Sequence, residues 1–202
     1  MKLYTFPPAP NPARVGFFLN EKALGGADIP VERVLVNFLH GEQKSPEHLA
    51  RNPSGTVPVL ALDDGSFLTE SLPIMEYLEE RYPDPPLIGT DAQSRARTRT
   101  LERQIELGVL LPIGRYVHAT KSPLGLPPNP AIAEAERARL PVVLARLDAV
   151  LTNQRFVMGE DPSMADCTLL AALNFGRFAD LEAEKDYPNV RRWFEAYALR
   201  HL

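Results

Sequence analysis

Asn52-Pro53-Ser54-Gly55-Thr56-Val57-Pro58-Val59-Leu60, followed across a turn by Phe67-Leu68-Thr69-Glu70-Ser71-Leu72-Pro73, is the stretch that decides the fold. It reads as a buried strand carrying a proline, a turn at Asp63-Asp64-Gly65, a second short strand and the start of a helix. Proline donates no main-chain hydrogen bond and is unwelcome inside a central strand. At a strand's entrance, in the cis form, it leaves the preceding residue's N–H and C=O open to a ligand. Glu70-Ser71 then offers a carboxylate, a hydroxyl and the unpaired N–H groups of a helix N-terminus. One segment thus presents a peptide-pairing edge, an anion site and an ammonium site. That combination suits a small charged peptide.

Working outward, the first 80 or so residues mix strand and helix signals. Lys2–Phe6 reads as a short strand stopped by Pro7-Pro8, and Pro12 fits the first turn of a helix running to about Leu24. Val31–Val36 is a second strand, and Ser45-Pro46-Glu47 starts a short helix to about Arg51, with Ser45 as its cap. Val57–Leu62 and Ser66–Thr69 form a hairpin, and Ser71–Arg81 is a helix with Ile74, Tyr77 and Leu78 facing inward. The order β-α-β-α-β-β-α predicts a small mixed sheet with helices on its faces.

Pro83-Asp84-Pro85-Pro86 is a stiff connector, and beyond it the strand signals stop. A helix over about Ala92–Thr120 is expected to kink near Gly108 and Pro112. Ser122–Pro130 reads as a loop, followed by a second long helix through Leu140, Val143, Leu144, Leu147, Val150 and Leu151, bent at Pro141. Ser163–Phe178 is apolar almost all round and is expected to be the buried central helix, with Ser163 and Asp166 as a capping box. Pro188–Leu199 closes the chain as an amphipathic helix. The sequence therefore divides into a domain over 1–81, a linker over 82–90 and an all-helical domain over 91–202.

Composition narrows the function. The 202 residues carry a net charge of −4, and no basic cluster is interleaved with aromatics, which argues against a nucleic-acid partner. Arg95, Arg97, Arg99 and Arg103 read as a solvated helix face. The single cysteine, Cys167, allows no intrachain disulfide or multi-cysteine zinc site, and its apolar neighbours make it a buried, inert thiol. His40, His48, His118 and His201 lack metal-ligand spacing and read as surface residues, so no metal is expected. No apolar run reaches the ~20 residues of a membrane span, and the first residues lack a signal peptide's apolar core. A cytoplasmic location is expected.

The segment 52–60, Glu70-Ser71 and Tyr77-Leu78 resemble the glutathione-binding motif of cytosolic glutathione transferases. Ser163-Met164-Ala165-Asp166 resembles the capping box of that family's buried C-terminal helix. The resemblance covers essentially the whole chain. It implies a thioredoxin-like α/β first domain followed by an all-α second domain, with glutathione as co-substrate. It also implies a homodimer. Val57 would pair its main chain with the cysteinyl unit, as an added strand would, with Pro58 holding that edge open. The start of the Ser71 helix would take the γ-glutamyl carboxylate, and Glu70 the ammonium. Gln43 matches the position that reaches the glycyl end, with His40 and Lys44 as lesser candidates.

The family stabilises the glutathione thiolate with a Tyr, Ser or Cys near the start of the first helix. Pro7-Pro8-Ala9-Pro10-Asn11-Pro12-Ala13-Arg14 contains none of these. Asn11 is the candidate that remains, similar to the asparagine of Nu-type bacterial members. Those usually carry a threonine two residues earlier, where this chain has Ala9. Lowering a thiol pKa by about two units needs roughly 2.7 kcal/mol. A hydrogen bond to a charged group supplies ~1.5–3 kcal/mol, and a helix N-terminus ~0.3–1 kcal/mol. The other reading makes Asn11 a cap of the helix begun by Pro12, and both roles stay open.

The family architecture implies a second-substrate pocket walled by Leu107, Leu111, Arg115 and Tyr116, for a small hydrophobic electrophile or a disulfide. Two functions compete. One is an enzyme that directs the glutathione thiolate at an electrophile or a disulfide. The other is a non-catalytic binding module of the same fold, which the missing hydroxyl favours and the intact Val57-Pro58 and Glu70-Ser71 oppose.

Overall fold

A computed structural model describes residues 1–201, in two compact units that divide between Pro86 and Leu87, inside the expected connector. The first unit runs β1 (Lys2–Thr5), α1 (Pro10–Leu24), β2 (Glu32–Leu35), α2 (Pro46–Arg51), β3 (Val59–Ala61), β4 (Phe67–Thr69) and α3 (Ser71–Arg81). This is the β-α-β-α-β-β-α order read from the sequence. The sheet order is β2-β1-β3-β4. β1 and β2 are parallel, with Leu3 opposite Arg33; β3 is antiparallel to β1, with Leu3 opposite Leu60, and β4 is antiparallel to β3, with Val59 opposite Thr69.

Leu3, Val59 and Leu60 from the sheet and Val15, Phe18, Ile74, Met75 and Leu78 from α1 and α3 are buried. The inward set of α3 includes Met75 where the sequence suggested Tyr77, which is half-buried. Lys22 of α1 lies in this core with no exposure. Its ammonium meets Glu79 of α3 at 2.5 Å and donates to the carbonyls of Tyr82 and Pro85, each at 2.7 Å. An ion pair and two carbonyl acceptors are what make a buried lysine tolerable.

The strand spans are shorter than expected. Pro58 stays outside β3, because it has no N–H to give to a ladder. Helix α1 begins two residues before Pro12, at Pro10, with Ala9 as its N-cap. Asn11 is therefore inside the first turn and caps nothing.

The second unit holds α4 (Ala92–Ile105), a π turn over Glu106–Leu110, α5 (Leu111–Thr120), α6 (Pro130–Arg137), α7 (Leu140–Leu151), α8 (Met164–Phe178) and α9 (Pro188–Leu199). The kink expected near Gly108 and Pro112 is the π turn. Pro112 cannot donate to the carbonyl four residues back, and the wider turn absorbs that gap. Gly108 is needed for close approach, since a Cβ there would lie 2.3 Å from Val143 of α7. The long helix expected after the Pro-rich loop is two helices, α6 and α7. A turn at Ala138-Arg139 separates them, and Pro141 sits in the first turn of α7 rather than bending a longer helix.

Residues Met164 to Leu173 of α8 are buried without exception, as a helix apolar all round requires. Its start is fixed by Asp166, whose Oδ2 accepts from the Ser163 N–H at 2.9 Å and the Ser163 hydroxyl at 2.8 Å. Oδ1 accepts from the Val157 N–H at 3.0 Å and Trp193 Nε1 at 3.1 Å. One carboxylate thus ties α8 to the preceding loop and to α9. Among the described residues no helix is long and apolar enough to cross a membrane.

Burial pushes the Asp166 carboxyl up to about 6 from its ordinary 3.8, against the opposing pull of its four hydrogen bonds. The folded chain therefore holds this proton more tightly than the unfolded one. The stabilisation linked to that proton is complete below about pH 4 and is lost as pH rises through about 6, some 3 kcal/mol in all. A carbon-13 titration of the Asp166 carboxyl should give a midpoint near 6; a midpoint at or below the ordinary value would contradict the burial account.

Candidate functional site

The loop leading into β3 is held from beneath. Asn52 Nδ2 donates to the Thr56 carbonyl at 3.0 Å and to Thr56 Oγ1 at 2.9 Å, and Asn52 Oδ1 accepts from the Ser54 N–H at 3.1 Å. His48 Nε2 lies 3.0 Å from the same Thr56 carbonyl. His48 is buried, not at the surface as its spacing suggested, because the ring braces this loop from α2. Gly55 has φ 62°, and a Cβ there would sit 2.9 Å from both the Gln43 carbonyl and Lys44 Nζ. Only glycine admits that approach, which brings Gln43 and Lys44 against the loop two residues before Val57.

The peptide bond between Val57 and Pro58 is cis. Val57 is buried to 8% exposure, yet among the described residues no group hydrogen-bonds its main chain. The β3–β4 pairing ends at Val59 and Thr69, so the Val57–Pro58 bond enters β3 and α3 leaves β4 at the same end of the hairpin.

Glu70 occupies the N-cap of α3 with φ 66° and ψ 124°, makes no side-chain cap bond and is exposed. The N–H groups of Ser71 and Leu72 have no partner among the described residues, so the positive end of α3 is uncapped. Ser71 is buried at 1% exposure, and its Oγ accepts from Arg14 Nε at 2.8 Å and donates to Asn11 Oδ1 at 3.3 Å. The hydroxyl read from the sequence as an anion ligand is thus engaged within the protein. The main-chain N–H groups remain for an anion.

Asn11 is exposed beside this point, between two prolines that have no N–H to offer. Tyr4, the nearest tyrosine in sequence, lies in β1 with the Arg51 guanidinium 4.1 Å from its ring centre. Asn11 accordingly remains the polar side chain at the start of α1.

The lesser candidates separate. Gln43 Oε1 is buried with no hydrogen-bond partner among the described residues, while Lys44 is exposed. His40 lies exposed in the turn of Phe38–His40, its Nδ1 3.4 Å from Asn37 Nδ2. In the second unit, Leu107 and Leu111 are exposed apolar residues of the π turn and α5. Arg115 is paired with Glu136 of α6 at 3.1 Å. Tyr116 faces a different hollow, with Thr120, Pro128 and Pro130. Leu107 and Leu111 are exposed, whereas Tyr116 is half-buried. Among the described residues no three His, Cys, Asp or Glu side chains gather to hold a metal ion.

Sequence reasoning missed Arg14, Asn52 and His48. Arg14 was legible as a charge one turn beyond Asn11 on α1, directly before the buried Val15. Asn52 was legible as a turn-forming side chain ahead of Pro53-Ser54-Gly55. The buried position of His48 left no mark in the spacing.

Two family profiles match the chain: the glutathione S-transferase N-terminal domain over residues 3–86 and the glutathione S-transferase C-terminal domain over residues 113–200. Glutathione S-transferase 2 of Saccharomyces cerevisiae is 34% identical over 199 residues, covering 96% of this chain and 84% of the relative. The maleylacetoacetate isomerase of Pseudomonas aeruginosa is 34% identical over 204 residues, covering 95% of this chain and 88% of the relative. The crystal structure of Gtt2 from Saccharomyces cerevisiae matches with a TM-score of 0.85 and 32% identity, over 100% of both chains. The chain belongs to the cytosolic glutathione S-transferase superfamily.

A non-glycine residue with the backbone of Glu70 is held in a conformation that costs ~1–3 kcal/mol. Replacing Glu70 by glycine removes that cost and adds ~0.4–1 kcal/mol of unfolded-chain entropy. Glu70→Gly is therefore expected to raise stability in urea denaturation by about 1 kcal/mol while weakening ligand binding. A Glu70→Gly chain less stable than the parent would show that the backbone there is not strained.

Proposed function

We propose that the first unit binds glutathione and holds its thiol as the thiolate, for attack on a small hydrophobic electrophile or on a disulfide. The observation that carries this reading is the open main chain of Val57 at the same end of the β3–β4 hairpin as the uncapped start of α3. Glutathione is an extended peptide with two carboxylates, one ammonium and one thiol. Its cysteinyl N–H and C=O complete the Val57 edge as an added strand does. The γ-glutamyl carboxylate meets the N–H groups of Ser71 and Leu72 at the positive end of α3, and Glu70 takes the ammonium. The glycyl carboxylate reaches toward Gln43 and Lys44.

The thiol then lies by Asn11. An amide is no base, so the thiol proton leaves to solvent and Asn11 stabilises the sulfur anion that remains. The first turn of α1 assists, with the Asn11 main-chain N–H as a second donor. A homodimer is the expected assembly, from the family resemblance.

Reduction of a disulfide is retained beside conjugation because residues 7–14 contain no hydroxyl or thiol. A thiolate attacking a disulfide sulfur forms a mixed disulfide and expels the other sulfur as a thiolate; a second glutathione then releases the product. The relative from Pseudomonas aeruginosa is named as an isomerase, so isomerisation of an unsaturated acid belongs in the same panel of assays.

Titration calorimetry tests the binding step. The chain should bind glutathione, and Glu70→Gln should weaken it about tenfold, as expected for a charged hydrogen bond of ~1.5–3 kcal/mol. No heat of binding would remove the proposal. Binding without aryl-halide conjugation, disulfide reduction or isomerisation would leave a non-catalytic glutathione-binding module.

A further inference from the structure

Asn11, Ser71 and Arg14 form a directed chain of hydrogen bonds between the starts of α1 and α3. Arg14 is buried at 2% exposure, and its guanidinium can only donate. Its Nε points at Ser71 Oγ, 2.8 Å away, so that oxygen must accept. The Ser71 hydroxyl then has one proton to place. Ser71 is buried, and Asn11 Oδ1, at 3.3 Å, is its acceptor among the described residues. That bond fixes which way the Asn11 amide faces. With Oδ1 turned toward Ser71, the Nδ2 protons point away from it, toward the exposed side of Asn11.

We infer that Arg14 is a positioning residue for thiolate formation, acting through Ser71 to turn the Asn11 Nδ2–H groups to the glutathione sulfur. This deepens the proposed function and rests on it. The orientation matters because the amide has two unlike ends. Nδ2 stabilises a sulfur anion, whereas Oδ1 repels one. A flipped amide would convert a favourable contact into an unfavourable one with no change in side-chain position. A guanidinium offers donors and no acceptor, so Arg14 biases the chain one way. Among the charged side chains of α3, Glu70 at its N-cap is exposed and matched to the ammonium end of the ligand, and Glu76 follows farther along the helix. Each bond polarises the next, which strengthens the donor at the far end. No covalent step is involved: the thiol proton passes to solvent, and the relay holds the resulting charge.

The inference separates affinity from ionisation. Arg14 touches neither carboxylate in the proposed pose, so its loss should leave binding of the protonated thiol nearly intact. What should move is the pH at which the bound thiol ionises.

Two readouts test it on the full chain. The first follows the ultraviolet absorbance of the bound glutathione thiolate against pH in the wild type, Asn11→Ala, Arg14→Met, Arg14→Lys and the double variant Asn11→Ala with Arg14→Met. Arg14→Met should raise the ionisation pH by about one unit, tenfold in the thiolate equilibrium, with glutathione Kd at acid pH changed less than about threefold. Arg14→Lys, which keeps a charged donor, should recover part of the shift. The double variant should ionise no higher than Asn11→Ala alone, because Arg14 works through Asn11.

The second readout needs no ligand and covers the case in which Arg14→Met folds poorly. The side-chain NH2 resonances of Asn11, followed by nitrogen-15 NMR, should shift in Ser71→Ala, which breaks the relay at its middle. Unchanged Asn11 resonances in Ser71→Ala, an unmoved thiol ionisation in Arg14→Met, or additive shifts in the double variant would each overturn the inference while leaving glutathione binding in place. Absence of glutathione binding by the wild type would instead overturn the proposed function, and the inference with it.

Discussion

A main-chain N–H and C=O buried without partners cost several kcal/mol unless something supplies the missing bonds. Val57 is 8% exposed, its main chain has no partner among the described residues, and Pro58 after it has no N–H to continue the ladder. Much of the first unit is arranged around keeping the edge in this state. Asn52 and His48 fix the Thr56 carbonyl one residue earlier, so the loop cannot collapse to satisfy Val57 from within. Gly55 lets the segment at Gln43 and Lys44 press against the same loop. The result is an incomplete strand edge of the kind an extended peptide pairs with.

The neighbouring start of α3 has the opposite polarity. Its N-cap residue turns its carboxylate outward instead of capping, so the helix keeps exposed N–H groups with a negative charge beside them. A zwitterionic amino-acid terminus fits such a pair of unlike charges. Ser71 adds a connection that neither end would have alone. Its hydroxyl is shared with the start of α1, so Arg14, Ser71 and Asn11 join the starts of the two helices in one bonded framework. The Lys22–Glu79 pair deeper along the same two helices keeps them in register with the connector that follows.

Much of this was readable from residue order. The strand and helix order of the first unit follows from period and punctuation, and Pro58 with Glu70-Ser71 already singles out the candidate site in the sequence. The Ser163–Asp166 box locates the start of α8 to the residue. What was not readable depends on contacts between residues far apart in sequence. The burial of His48 comes from the Thr56 carbonyl above it, and nothing in the spacing of His48 foretells that bond. The role of the Ser71 hydroxyl turns on Arg14, 57 positions away. Asn11 looked like a helix cap because Pro12 looked like the first helical residue; the earlier start at Pro10 moved Asn11 inside the helix. Likewise the break between α6 and α7 left no mark in the apolar pattern, because Leu140 to Leu151 lies wholly within α7, with Pro141 in its first turn.

The central claim is that glutathione lies along the Val57 edge with its sulfur at Asn11. A crystal structure of the chain with glutathione bound tests it directly. The account predicts two main-chain hydrogen bonds between the cysteinyl unit and Val57, with the sulfur within about 3.5 Å of Asn11 Nδ2, at the outer limit of a hydrogen bond. A sulfur turned away from Asn11, or a peptide bound elsewhere than on Val57, would contradict it.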